Sequence, residues 1–119
     1  MQEEKTGINK ISDDTLADYT VHVVQNIPGV INLSVGLSEN LPKNIFGKVF
    51  NGKGVRICHT DDGLVIDIYV IVEFKAKIPQ LAWEIQGIVK DKISKEIVEK
   101  IKEINIHVQG VDFPKKENN

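Results

Sequence analysis

The sequence is poor in the residues that build disulfides and metal sites. It contains one cysteine, Cys58, so an internal disulfide and a cysteine-only metal site are both excluded. Its three histidines, His22, His59 and His107, lack the ligand spacing of a zinc site. We therefore predict no metal, no cofactor and no thiol catalysis, and we interpret Cys58 as a small strand residue in a protein of a reducing compartment.

Long apolar runs and a strong net charge are also missing. Asp67 and Glu73 interrupt the longest apolar stretch, which falls short of the ~20 residues that a membrane helix needs. The N-terminus is polar and acidic where a signal peptide is basic and then apolar. The formal net charge of −2 provides no general attraction for nucleic acid or an anionic membrane. We expect a soluble, cytoplasmic protein with no membrane span.

The most regular stretch of the chain runs from Leu64 to Lys77. Its apolar side chains occupy every second position: Leu64, Ile66, Ile68, Val70, Val72, Phe74 and Ala76. Because successive side chains of a strand point to opposite faces, this spacing predicts one apolar face that must be buried. The other face carries acids, lysines and Tyr69, which is typical of the open side of an antiparallel sheet.

Two segments have helical periodicity. Ser12 is a good N-cap for a first helix that runs to about Asn26, where Ile27-Pro28-Gly29 should end it. Pro79 suits the first turn of a second helix with an apolar stripe from Leu81 to Ile93, and the periodicity continues to Ile97 and Ile101. Trp83 lies beside this stripe, and we interpret it as a residue at the rim of the core.

Further strands are predicted from alternation and turn signals. They cover Gly7–Ile11, Val30–Leu37, Gly54–Thr60 and a last strand from Ile104, and Asp61-Asp62-Gly63 should form a hairpin turn.

These elements predict an α+β fold, a two-layer sandwich in which a mainly antiparallel sheet carries two helices on one face. We expect a single domain over residues 1–113 and a disordered polar tail over 114–119. The open face of the sheet should expose a polar set: Asp67, Tyr69, Glu73, Asn105, His107 and Gln109.

The segment from Ser38 to Lys53 supports two interpretations. The spacing of its apolar residues favours a short amphipathic helix: Leu41, Ile45, Phe46, Val49 and Phe50. Pro42, Gly47 and Gly52 favour an irregular segment instead. Between Ser38 and Arg56 the four cations, Lys43 and Lys48 among them, exceed the single acid by three charges. This segment is therefore a second candidate contact surface.

The sequence gives little support to catalysis or to nucleic-acid binding. Asp61, Asp62, Asp67 and Glu73 contain a conceivable acid–base pair, but two lie in a turn and two on a solvated face. Tyr69 could stack on single-stranded nucleic acid, although the neighbouring acids oppose a phosphate backbone. We predict a protein that is not an enzyme, with a small nucleic-acid-binding module as the rival hypothesis.

Taken in order, several segments resemble the alkaline shock protein family of Gram-positive bacteria. They are Gly7–Ile11 before a helix, Ile27–Val30, Gly54-Val55, Gly63–Phe74, Ile78-Pro79, Glu84–Gln86 with Val89-Lys90, and Ile104–Phe113. The likeness extends from Gly7 to Phe113. Two places depart from the family pattern, Ile97-Val98 where relatives often have a glycine, and the glycine-poor segment from Ser38 to Lys53.

The resemblance implies a non-enzymatic cytoplasmic protein of cell-envelope homeostasis or stress, held at the inner face of the membrane by a membrane-anchored protein partner. Some relatives look linked to control of fatty-acid synthesis, which is a further alternative. The family has no accepted catalytic residues. The predicted interaction surface, of a chain expected to be a homo-oligomer, consists of Tyr69, Asp67, Glu73, Asn105, His107, Phe46, Lys43 and Lys48.

Overall fold

The computed structural model describes residues 11–34, the backbone of 48–50, and residues 53–113. Seven elements follow one another along the chain: α1 (Asp13–Gln25), β1 (Val30–Leu33), β2 (Lys48–Phe50), β3 (Val55–Thr60), β4 (Gly63–Glu73), α2 (Ile78–Ser94) and β5 (Ile101–Asp112). Three predicted features lie wholly or mostly outside the described residues: the strand at Gly7–Ile11, the end of the strand at Val30–Leu37, and the polar tail.

The strand β4 is the centre of a five-stranded sheet. One of its edges pairs antiparallel with β3 from Gly63 to Ile68 and with β1 from Val70 to Val72. The other edge pairs with β5 in parallel, and β2 extends the sheet beyond β3. The parallel pair is possible because α2 connects β4 to β5 as a crossover. The sheet is otherwise antiparallel, so the predicted α+β fold is confirmed.

The core lies between the sheet and the two helices. Leu64, Ile66, Ile68, Val70 and Val72 are completely buried, as the alternation predicted. The helices contribute the apolar stripe from Leu81 to Ile93 in α2 and another set from α1: Leu16, Ala17, Thr20, Val23 and Val24. At about 1.5–3 kcal/mol for each large apolar side chain, this layer is the main favourable contribution to folding.

Local signals explain where several elements begin and end. The hydroxyl of Ser12 accepts a hydrogen bond from the backbone N–H of Thr15 at 3.1 Å, which caps α1 as predicted. The two-residue turn at Asp61-Asp62 closes the β3–β4 hairpin. Gly63 has a φ of +133°, and a Cβ there would lie 2.7 Å from the carbonyl oxygen of Lys100, so this position requires glycine.

Three predictions about local structure are wrong, and one open alternative is answered by neither interpretation. Lys48–Phe50, for which a helix and an irregular segment were both considered, is a strand, because it pairs with Val55–Ile57. The second helix ends at Ser94, and β5 begins at Ile101, three residues before the predicted start. Phe74 is 47% exposed, since β4 ends at Glu73 and the chain turns at Lys75, which has a φ of +75°. Trp83 is 74% exposed and is not at the rim of the core.

Candidate functional site

Five polar side chains meet on the face of the sheet opposite the helices, and we name them the open-face cluster. They are Arg56, Asp67, Tyr69, Asn105 and His107. The register of the sheet explains the cluster, because Asp67 is opposite Arg56 on one side and Asn105 on the other, while Tyr69 is opposite His107. The cluster is therefore held by three strands and not by a loop.

Tyr69 is at the centre of this cluster. Its ring stacks on the imidazole of His107, with 4.4 Å between centroids and 12° between planes. Its hydroxyl oxygen accepts a hydrogen bond from Nη2 of Arg56 at 3.0 Å. Tyr69 is only 6% exposed, so the prediction of an exposed Tyr69 is wrong. Burial raises the pKa of the Tyr69 hydroxyl, an effect that the nearby Arg56 charge opposes and the Asp67 charge increases.

Asp67 fixes the two side chains from β5. Its carboxylate accepts hydrogen bonds from Nε2 of His107 at 2.9 Å and from Nδ2 of Asn105 at 3.1 Å. The Asn105 amide also lies 3.3 Å from the carboxylate of Glu103. Asp67, Asn105 and His107 thus share a face, as the alternation predicted, and all three are half-buried. Their role as a contact surface stays a prediction.

Arg56 was not singled out from the sequence. It is 6% exposed, and its Nε has no hydrogen-bond partner among the described residues. No carboxylate of the described residues forms an ion pair with it. Burying such a charge is costly, which leaves the Tyr69 hydroxyl as an important partner. The sequence could have indicated the position of Arg56. Its two neighbours, Val55 and Ile57, are apolar and face the core, so the alternation of a strand directs Arg56 to the opposite face.

Among the other predicted surface residues, Glu73 does not belong to this cluster. Glu73 is half-buried at the end of β4, where its backbone N–H donates to the carbonyl of Gly29 at 2.9 Å. Lys48 belongs to β2, where it is opposite Ile57. Phe46 and Lys43 lie outside the described residues.

A second region, the edge groove, lies between α2 and β5. Trp83, Gln86, Gly87 and Lys90 line it on the helix, and Ile101–Asn105 line it on the strand. Trp83 is two residues from Leu81 and therefore about 200° around the helix from this core residue, which explains its exposure. The same spacing could have predicted it. Nε2 of Gln86 donates to the carbonyl of Ile104 at 2.6 Å, so this β5 carbonyl points away from β4.

A third feature is a histidine held between two carboxylates. Nδ1 of His59 lies 2.8 Å from Glu99, and its Nε2 lies 3.0 Å from Asp13. Burial alone would lower the pKa of His59, but the hydrogen bonds and charges of Asp13 and Glu99 outweigh it, so the pKa is raised. This contact joins β3 to the first turn of α1 and to the segment before β5.

None of these clusters resembles a metal centre. Within residues 11–34 and 53–113, no three His, Cys, Asp or Glu side chains converge to hold a metal ion. His59 directs its two ring nitrogens at two separate carboxylates, which is an ion-pair arrangement.

Comparison with known proteins identifies the family of this chain. The sequence model of the alkaline shock protein 23 family, described as having a cell envelope-related function, matches residues 1–113. The chain belongs to this family. The resemblance inferred from the sequence is therefore confirmed, and with it the cell envelope-related function of the family.

Two bacterial relatives of this family member align over most of its length. YqhY of Bacillus subtilis is 31% identical over 121 residues, which cover 98% of this chain and 87% of the relative. Spy1535 of Streptococcus pyogenes is 37% identical over 94 residues, which cover 75% of this chain and 73% of the relative.

Among solved structures, the fold is similar to that of MamM-CTD 215-293, with a TM-score of 0.55 and 13% identity. The likeness covers 83% of this chain and 99% of that one, and it concerns the fold alone. No helix among the described residues of this family member has the length and apolar character required to cross a membrane.

Proposed function

We propose that this chain is a non-enzymatic interaction module of the cell envelope and that it binds other proteins along the edge groove. The proposal is carried by the exposure of Trp83, 74%, beside a strand edge that no other described strand covers. Tryptophan is enriched at the centres of protein interfaces, and an unpaired edge can bind an added strand through its backbone groups.

The chemistry around Trp83 suits a protein partner. Gly87 leaves open space, because a Cβ there would meet no atom of the described residues within 4 Å. Lys90 and Lys102 add positive charge to the groove and Glu103 adds a negative charge. Val111 and Phe113 are exposed at 51% and 67% at the far end of β5. A central aromatic side chain with polar and charged neighbours is the composition expected of an interface.

The open-face cluster gives the nucleic-acid alternative no added support. Its aromatic ring is buried under His107 and is not presented for stacking on a base. The carboxylates of Asp67 and Glu103 lie on the same face and would repel a phosphate backbone.

We further propose that a membrane-anchored protein holds the chain at the inner face of the membrane. This step is supported by the cell envelope-related function of the family.

The experiment follows a fluorescent fusion of the whole chain in its native host. We expect Trp83→Asp to disperse the fusion from the cell periphery, while Trp83→Phe largely retains it there. Lys92→Asp is the matched control, since Lys92 is exposed and lies about 180° around α2 from Trp83. Circular dichroism would verify that each variant folds. Peripheral localisation that survives Trp83→Asp would contradict the proposal.

A further inference from the structure

The outer edge of β5 is a long strand edge that pairs with no other described strand. The strand has 12 residues, and its only described strand partner is β4. The carbonyl of Ile104 points outward to Gln86, and backbone direction alternates along a strand, so Ile106 and Val108 also direct their N–H and C=O groups outward. The register with β4 is regular from Glu103 to Val108.

Such an edge is usually protected by proline, a bulge or a short strand. From Glu103 to Val108 the strand contains no proline and no register shift, and the shifts that do occur lie on either side of this stretch. The stretch is therefore a regular template for one more strand.

We propose that the occupant is the β5 strand of a second copy of this chain, paired antiparallel about a twofold axis near Ile106 or His107. The charges along β5 fit this arrangement. Lys100 directly precedes β5, Lys102 and Glu103 lie at its beginning, and Asp112 lies at its end. Antiparallel pairing therefore brings the beginning of each strand, which has one net positive charge, to Asp112 of the other copy. A parallel arrangement would place like charges together.

The groups near the edge are compatible with pairing. Lys102 contacts Asp62 only at 3.7 Å, and its side chain is 40% exposed, so it can reach a new partner. Gln86, which bonds to Ile104, is exposed and can move aside for a backbone donor. In the joined sheet the helices of both copies lie on one face, where each Trp83 borders the junction and the space at Gly87 admits a close approach.

This inference rests on the proposed function, since it names a second copy as one partner of the edge groove. Cysteine cross-linking tests its geometry. In a Cys58→Ser background, single cysteines replace Asn105, Ile106 or His107. Residues opposite each other across an antiparallel axis have Cα atoms about 4.5–5.5 Å apart, which a disulfide can span.

We expect one of these three positions to form a symmetric disulfide far faster than Lys92→Cys, the exposed control on α2. Light scattering of the unmodified chain should show a dimer, and the emission of Trp83, the single tryptophan, should shift to shorter wavelength as the dimer forms. Cross-linking no faster than at Lys92→Cys, or a monomer at every concentration, would overturn the inference.

Exchanging the charges at the two ends of β5 tests whether the two strands pair antiparallel. We expect Asp112→Lys to weaken dimerisation about tenfold, because twofold symmetry replaces two attractive pairs with two repulsive ones. Adding Lys100→Glu and Lys102→Glu should restore it. No recovery in the triple variant would contradict the antiparallel arrangement.

The two proposals fail in distinguishable ways. A monomer whose peripheral localisation still depends on Trp83 would refute the second-copy inference and retain the proposed function, with another protein in the groove. A dimer joined through β5 whose localisation is unaffected by Trp83→Asp would support the second-copy inference and refute the proposed function.

Discussion

At the scale of single residues, Arg56 depends on one hydroxyl group. Its buried guanidinium donates to the Tyr69 oxygen at 3.0 Å and has no carboxylate partner among the described residues. We predict that Tyr69→Phe lowers the free energy of unfolding by about 1–3 kcal/mol, because a buried donor loses its acceptor. Urea denaturation measures this change. Tyr19→Phe is the control: Tyr19 is half-buried and its side chain forms no hydrogen bond within the described part of the chain, so its cost should be below about 0.5 kcal/mol.

A double-mutant cycle isolates the pair. In an Arg56→Met background the charge is absent, so Tyr69→Phe should cost less there than in the unmodified chain. Equal costs in the two backgrounds would mean that Tyr69 contributes through packing on His107, with no contribution from Arg56.

At the scale of elements, His59 connects β3 to α1 and to the segment before β5. Its folded-state pKa is raised above about 6.5, so the stabilisation is fully present below that value and is lost as pH rises through the folded pKa. We predict that the urea midpoint falls as the pH rises above about 6.5.

His59→Gln retains hydrogen bonding without the titrating charge and should remove most of this dependence. His22→Gln, at an exposed position on α1, should leave it unchanged. An identical pH dependence in all three proteins would show that another group is responsible.

Elements were predictable where the signal was local. The Ser12 cap, the stop at Pro28-Gly29 and the Asp61–Gly63 turn each act through neighbouring residues, and all three are found in the structure. The strand at Lys48–Phe50 was not predicted, because its conformation is determined by pairing with β3, which its own sequence does not encode. The parallel direction of β5 likewise follows from the α2 crossover.

The candidate site was predictable in part, for a related reason. Alternation placed Asp67, Tyr69, Asn105 and His107 on one face, because side-chain direction is a property of the strand itself. It could not show that His107 and Arg56 cover Tyr69, since this depends on three strands meeting in one register. Exposure of Trp83 depended on helical angle alone and was available from the sequence.

At the scale of the whole molecule, the sheet has a protected centre and, at β5, a long edge that no other described strand pairs. The strand β4 is paired on both sides, whereas β5 is paired on one. We predict that native-state hydrogen exchange is slowest for the amides of β4 from Ile66 to Val72 and that it is fast in dilute protein for the outward amides of Ile104, Ile106 and Val108.

The concentration dependence of this pattern distinguishes a free edge from a paired one. As protein concentration rises, exchange at Ile106 and Val108 should slow, because pairing with a second β5 gives these amides acceptors, while exchange in β4 should hardly change. The Asp112→Lys variant should require a higher concentration for the same protection, because its pairing is weaker. Outward amides that are already protected in dilute protein would show that the edge is covered within one chain, and their protection would then be independent of concentration.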